Sequence, residues 1–386
     1  MNCFRGLSTC LLILLASSWA GIAAGPSTEW SRTFTGDEFT RVVDVIPTSN
    51  GGFAIFGTTQ VEPGTDQFRL LKLDQEGEIE WDYIGEEVHS VAASAIIETT
   101  DGGYFLTGIQ QRDAGSGSHI LNCRLSATGQ SEWTTSFGIS GREVLNPLPI
   151  ELHPGAFIVL ATAIAATGNE LYRIETGEGH IMGGSVGCRD LGFRVVTGLS
   201  RPAASSRLTL SAKEGSAESG DRSGLLISLP ATGVCGSIVP IEGPGSGFAF
   251  DVEEASDGDL LVLGSASLAG SGSEIYVARY DTEGSQLWYN TYGGKSVDFG
   301  VSIAAIEEGG AVVVGTSLDF EGRAGVLVFR LDPEGEMLWS TVIGHRYDAG
   351  VSIHRTSDGG YIIGANCGSE SGCSGIRVIK LSPDLE

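Results

Sequence analysis

Arg330-Leu-Asp-Pro-Glu-Gly-Glu-Met-Leu-Trp339, followed nineteen residues later by Asp358-Gly-Gly-Tyr-Ile-Ile-Gly364, decides how this chain folds. Asp-Gly between apolar runs is a strong hairpin signal, because the tight turn needs positive φ at its central residues. The Leu-Asp-x-x-Gly stretch ahead of the Trp is a second turn of similar kind. Working outward, both pieces recur. The first returns as Leu71-Lys-Leu-Asp-Gln-Glu-Gly-Glu-Ile-Glu-Trp81 and Arg279-Tyr-Asp-Thr-Glu-Gly-Ser-Gln-Leu-Trp288, and more loosely as Arg124-Leu-Ser-Ala-Thr-Gly-Gln-Ser-Glu-Trp133. The second returns at Asn50-Gly-Gly-Phe, Asp101-Gly-Gly-Tyr and Glu308-Gly-Gly-Ala, with Asp257-Gly-Asp-Leu as a variant.

The spacing gives the period. Trp30, Trp81 and Trp133 stand 51 and 52 residues apart, and Trp288 and Trp339 stand 51 apart. The 155 residues between Trp133 and Trp288 hold three more units, with weaker copies at Arg173-Ile-Glu-Thr-Gly and Leu229-Pro-Ala-Thr-Gly. Ile181 and Ser237 stand there in the Trp position. Each unit holds four short strands. In the second these are 90–99, 104–110, 119–125 and 131–137, and helical periodicity is missing throughout. Four-stranded units of this length form the blades of a β-propeller.

Seven units are expected, starting at residues 30, 81, 133, 181, 237, 288 and 339. The chain stops where another Trp strand is due, and it begins with an unpartnered one, Glu29-Trp-Ser-Arg-Thr-Phe34. The Trp30 strand is therefore expected to complete the last blade and close the ring, which removes an exposed edge. Trp30, Trp81, Trp133, Trp288 and Trp339 read as structural, filling the widening space between blades.

Composition fits one all-β domain. The chain has 386 residues, 57 of them Gly, and carries 48 acidic against 23 basic residues for a net charge of −25. The Gly excess has no Gly-X-Y period and belongs to the turns. Such acidity argues against a nucleic-acid partner, which needs clustered Lys and Arg. Residues 1–24 read as a secretory signal peptide, with Arg5, an apolar run from Leu11 to Ala16 and small residues after it. Cleavage after Ala20, Ala23 or Ala24 satisfies the pattern, and an uncleaved signal anchor is the rival reading. Residues 25–386 are then a single propeller, with no membrane span expected and a monomeric state.

Cys123, Cys188, Cys235, Cys367 and Cys373 remain after cleavage. Export permits disulfides, and Cys367–Cys373, flanking a small polar loop, is the best pair, contributing ~2 kcal/mol by loop closure. Zinc is disfavoured, because no Cys-x-x-Cys or His stands at ligand spacing.

The two tight turns of each unit share one face, and longer connections share the other, where propeller ligands bind by architectural analogy. Those longer loops are read at Gln60–Gln67, Gln111–Ser118, Ala212–Ser223, Ser317–Ala324 and Gly368–Ser374, and after each Trp strand. Asp298-Phe-Gly-Val-Ser-Ile and Asp348-Ala-Gly-Val-Ser-Ile share a pattern. With Lys295, His345, Arg346, Glu86, Glu87 and His89 they form a candidate ligand-binding patch at the channel mouth. The bland reading is a solvated rim. The sharper one has Asp298 and Asp348 as acceptors for a ligand or Ca²⁺, though no cofactor is predicted.

The unit Trp-Ser-x-Thr, Asp-Gly-Gly-Tyr, Lys/Arg-Leu-Asp-x-x-Gly-x-x-x-Trp resembles the secreted bacterial and archaeal β-propeller repeat family, over nearly the whole chain beyond residue 24. The resemblance implies the fold and a secreted or surface location and says little of activity. The Leu-Asp-x-x-Gly-x-x-x-Trp hairpin is also similar to quinoprotein dehydrogenase blades. Those usually number eight and carry an adjacent Cys pair, which this chain lacks. It is similar as well to the outer-membrane assembly propeller, which has no catalytic residues to match.

Two functions follow as expectations. The first is an exported, periplasmic or cell-surface, non-enzymatic binding or scaffold propeller whose loops meet a protein or carbohydrate, with the acidity keeping it soluble. The second is an extracellular hydrolase or lyase using His345/Asp348 or His89/Glu86 as acid and base. No Gly-x-Ser-x-Gly elbow or metal cluster supports the second.

Overall fold

The computed structural model describes residues 25–383, apart from 36–40, 87–88, 112–116, 140–141, 165–167, 189–193, 201–206, 215–223, 231–235, 242–245, 269–271, 295 and 369–374. Among the described residues there are strands β1–β28 in chain order and no helix. They form seven four-stranded antiparallel sheets. Blades 1 to 6 span 41–84, 91–138, 144–188, 194–240, 246–292 and 298–343. Blade 7 joins β26 (Ala349–Arg355), β27 (Tyr361–Cys367) and β28 (Gly375–Leu381) to the N-terminal strand β1 (Thr28–Thr35).

The expected closure is present. Strand β1 pairs antiparallel with β28, with Trp30 opposite Lys380 and Phe34 opposite Ile376. The Ser382 N–H donates to the Ser27 carbonyl at 2.9 Å, extending the join beyond the strands. The edge of β28 is thereby covered. The strands expected in the second unit are observed at Val91–Glu98, Tyr104–Gln110, His119–Leu125 and Ser131–Gly138.

The core is a ring of layers between blades. One layer joins Ile46, Phe56, Phe68 and Leu70 of blade 1 to Tyr104, Leu106, Leu121 and Leu125 of blade 2. A middle strand has a neighbouring blade on each face, so it is apolar on both sides. Residues Phe53–Thr59 are buried without a break for that reason. Glycine is required where an inner strand crosses closely. A Cβ on Gly57 would lie 2.0 Å from the Arg41 carbonyl oxygen, and one on Gly315 2.3 Å from that of Phe299.

Two expected loops prove to be hairpin ends. Instead of the loop 60–67, β3 (Phe53–Glu62) and β4 (Thr65–Leu73) pair as far as Glu62 opposite Thr65. Pro63-Gly64 suffices as the turn, Gly64 taking φ +82°. In place of 317–324, Phe320 pairs with Arg323. Glu321 (φ +51°) and Gly322 (φ +79°) make the tight turn that matches strand twist. Strand pairing persists through polar residues at both hairpin ends.

The Trp residues lie at the outer edges of the blade junctions. Trp30 meets Phe53 edge-to-face (centroids 5.5 Å) and Trp81 meets Tyr104 likewise (5.6 Å). Trp339 is 4% exposed, while Trp30, Trp81, Trp133 and Trp288 are half-buried. Solvent reaches the rim of these junctions, so their rings cover the packing between blades more than they fill it.

Candidate functional site

Seven inner strands line the axis of the ring, and each carries a register shift at the same level. The shifts fall at Val42/Asp44, Ala93/Ala95 and Leu145/Leu148 in blades 1 to 3. They continue at Val196/Gly198, Ala249/Asp251, Gly300/Ser302 and Gly350/Ser352. A bulge leaves backbone groups unpaired and re-aims the side chains beside it. Polar side chains of the preceding blade take up the freed groups. The Ile303 N–H donates to Asp251 Oδ2 at 3.1 Å and the Val45 N–H to Ser352 Oγ at 3.0 Å. Blades are therefore stitched together at the waist of the channel.

The channel encloses a cavity of about 320 Å³ whose wall is uneven. Blades 2, 3 and 4 present Ile97, Leu148, Pro149 and Leu199, whereas blades 5, 7 and 1 present Asp251, Glu253, His354 and Asp44. His354 Nε2 lies 2.8 Å from Asp44 Oδ1, spanning the seam between the last blade and the first. The Asp44 carboxylate also accepts the Val45 N–H at 2.8 Å. Across the channel, Glu253 Oε2 accepts from Ser200 Oγ at 3.3 Å.

Burial shifts this cluster toward protonation. It pushes Asp251 up to about 6, against hydrogen bonds from the Ile303 and Val252 N–H groups. It pushes Glu253 up to about 7, assisted by the Asp251 charge. For His354 burial disfavours the cation, but the charge and hydrogen bond of Asp44 outweigh it and the pKa is raised. The side chains of His354 and Asp44 keep 37% and 21% exposure, so they meet channel water although strands surround them. Burial thus favours the neutral form of two carboxyls, while Asp44 favours the imidazolium of His354, in one cavity. The arrangement can exchange protons or respond to pH.

The sequence-derived patch is placed differently. Asp298 is wholly buried, and its Oδ2 accepts the Gly294 N–H at 2.7 Å. Burial raises its pKa, with Ser317 and the Gly294 N–H opposing. Asp348 is 1% exposed, and its Oδ2 accepts the His345 N–H at 3.0 Å and faces Arg377 at 3.1 Å. Both carboxylates brace the loops that carry them. His345 and Arg346 stand exposed beside Asp348, with the His345 backbone rather than its ring in contact. Glu86 is exposed and His89 half-buried, while Lys295 and Glu87 lie outside the described residues. The expected pair Cys367–Cys373 also has one end, Cys373, outside them. Cys188 is disulfide-bonded. Among the described residues, no group of three or more His, Cys, Asp or Glu could hold a metal ion. No helix there is long and apolar enough to cross a membrane.

Sequence reading missed the channel cluster, but a signal existed. Aligned by repeat, Asp348-Ala-Gly-Val-Ser-Ile-His354 matches Asp298-Phe-Gly-Val-Ser-Ile-Ala304, so His replaces a small apolar residue. Asp44 and Glu253 likewise interrupt inner strands at places where most blades are apolar or small.

The architecture defines the chain as an all-β protein with seven four-stranded antiparallel blades in a propeller. No family model matches it, and no curated protein matches it. Solved structures of the same architecture do. The WD40 domain of Neurospora crassa Pan2 superposes with TM-score 0.56 at 11% identity, covering 89% of this chain and 90% of that one. The propeller domain of the Trilobed protease from Pyrococcus furiosus, described as having an open velcro topology, gives 0.51 at 9%, covering 92% and 96%. Puromycin hydrolase gives 0.56 at 13%, covering 86% of this chain and 51% of that one. The chain thus spans about half the length of puromycin hydrolase. At these identities the likeness concerns the fold alone.

Proposed function

We propose that this protein is an exported, non-enzymatic binding or scaffold propeller that presents the face opposite its Asp-Gly-Gly and Asp-x-x-Gly turns to a protein or carbohydrate. The observation that carries this reading is the dispersal of the candidate acid–base pairs: the His345 ring is exposed while Asp348 is buried against Arg377. A ring stitched blade to blade offers loops of varied length on a rigid support. The resemblance of the repeat unit to the secreted propeller repeat family fits the same reading, as does the disulfide at Cys188, which suits an oxidising compartment. The test is a glycan, metabolite and surface-protein binding screen on the chain lacking residues 1–24, with and without Ca²⁺. Saturable binding lost on changing loop residues supports the reading. Turnover of any screened compound overturns it.

One observation favours a second reading, an extracellular hydrolase or lyase acting inside the channel. His354 and Asp44 form a close imidazole–carboxylate pair facing two carboxyls with raised pKa values. Turnover abolished by His354→Gln would establish it, and turnover unaffected by that change would dismiss it.

A further inference from the structure

The outer edges of the blade junctions repeat one arrangement. A Trp lies over the turn glycine of the following blade. A Cβ on Gly77 would sit 3.1 Å from the Trp30 ring, one on Gly129 2.6 Å from Trp81 and one on Gly335 3.0 Å from Trp288. The same indole meets the first residue of the next blade's second strand at two junctions, Phe53 beside Trp30 and Tyr104 beside Trp81. Those two residues are only 2% and 1% exposed. Within its own sheet the Trp stands opposite a Lys or Arg, as in Trp81 with Lys72 and Trp288 with Arg279.

The junction between blades 4 and 5 keeps the strand pairing and the turn glycine but lacks those side chains. The Ser228 N–H donates to the Ser237 carbonyl at 2.9 Å, so two serines occupy the pair that is Trp with Lys or Arg in five of the other blades. Gly284 has φ +90°, and its nearest neighbours are all atoms of Val239, two residues past the Trp position. In blade 5 the matching Asn290 and Trp288 both rest on Gly335. Leu260 begins the second strand of blade 5 and is half-exposed, where Phe53, Tyr104, Ala311 and Tyr361 are buried. A cavity of about 160 Å³ opens between Leu226, Val239, Leu260 and Gly284, and Glu254 and Glu283 also line it.

We infer that this junction is a vacated indole socket that binds a small aromatic cation of the tryptamine type. Size supports the ring, since a cavity of roughly 150 Å³ accepts benzene. Shape supports it too, because at the next junction, between blades 5 and 6, the equivalent turn glycine Gly335 lies against the Trp288 indole. The two glutamates and the chain's net charge of −25 select a positive substituent over a negative one.

The test is a titration of the chain lacking residues 1–24 with tryptamine, indole and indole-3-acetate, followed by calorimetry and protein NMR. One saturable site is expected, with tryptamine tightest and indole-3-acetate weakest. Ser237→Trp, which refills the socket from within, should weaken tryptamine at least tenfold. Ser228→Arg, which restores the residue type of other blades, should do the same and serves if the first variant fails to fold. A short peptide with one central Trp identifies a protein side chain as the natural source if it binds more tightly than tryptamine. The inference fails if none of the four probes saturates, or if the folded variants bind as well as the parent.

Discussion

The junction between blades 5 and 6 and the junction between blades 4 and 5 carry opposite side chains at matching positions of their outer strands. At the first, Trp288 Nε1 donates to the Pro333 carbonyl at 2.9 Å and Asn290 Nδ2 to that of Gly335 at 3.2 Å. Arg279, 5% exposed, pairs with Asp257 and Asp259 and donates to the Gly309 carbonyl at 2.8 Å. At the second junction the outer strand β17 (Ile238–Pro240) has three residues, with Ser237 and Ser228 where the large side chains would be. Blade 4 still packs on blade 5, because Leu226, Ala249, Val262 and Tyr276 form the layer between them. The inner and middle strands assemble the ring. The outer edge adds stability where it is furnished and leaves a socket where it is not.

That contrast can be broken experimentally. The largest effect is expected at Trp339, buried over Gly25: Trp339→Ala should cost ~3–5 kcal/mol in denaturant unfolding. Arg279→Ala should cost about 1–3 kcal/mol, because it strands two carboxylates and two carbonyls at one junction. Ser228→Ala tests the equivalent position at the poor junction, where a loss as large as that of Arg279→Ala would mean that the two edges contribute alike.

The channel supplies a prediction of the next size down. Asp251 and Glu253 have folded pKa values raised to about 6 and about 7, so ionising them opposes folding. His354 is raised through Asp44, so its contribution holds below the ordinary His value and fades as pH passes the folded one. All three act in one direction: stability should fall as pH rises from 5 to 8. Glu253→Gln should flatten that slope in a Tm series, and an unchanged slope would place its origin elsewhere. At the acid end, burial would raise Asp358, but Lys380, Thr356 and the Gly360 N–H hold it at about 2. Its contribution is present above pH 4 and is lost as pH falls toward 2. The smallest effect is expected for Ser237→Ala, within about 0.5 kcal/mol, because it removes an exposed hydroxyl from an empty edge.

Much of this was legible in the residues. The Asp-Gly-Gly and Asp-x-x-Gly turns announce hairpins through local φ requirements, and Trp spacing then counts the blades. The candidate site was less legible. Asp298 and Asp348 stood out because their motif repeats, yet repetition marked a loop brace common to two blades. Asp44, Glu253 and His354 break the repeat, and their meaning depends on which inner strands face one another across the axis.

By itself the sequence determined the number and order of strands, the turn chemistry and the closing role of the Trp30 strand, since all of these rest on local geometry and a fixed period. Tertiary structure alone decided that His354 meets Asp44, 310 positions away in the chain. It alone decided that Ser237, in the Trp position, lines a cavity together with Leu226, Leu260 and Gly284. Closing the ring brings distant residues together in one low-dielectric channel, and no local pattern encodes those distances.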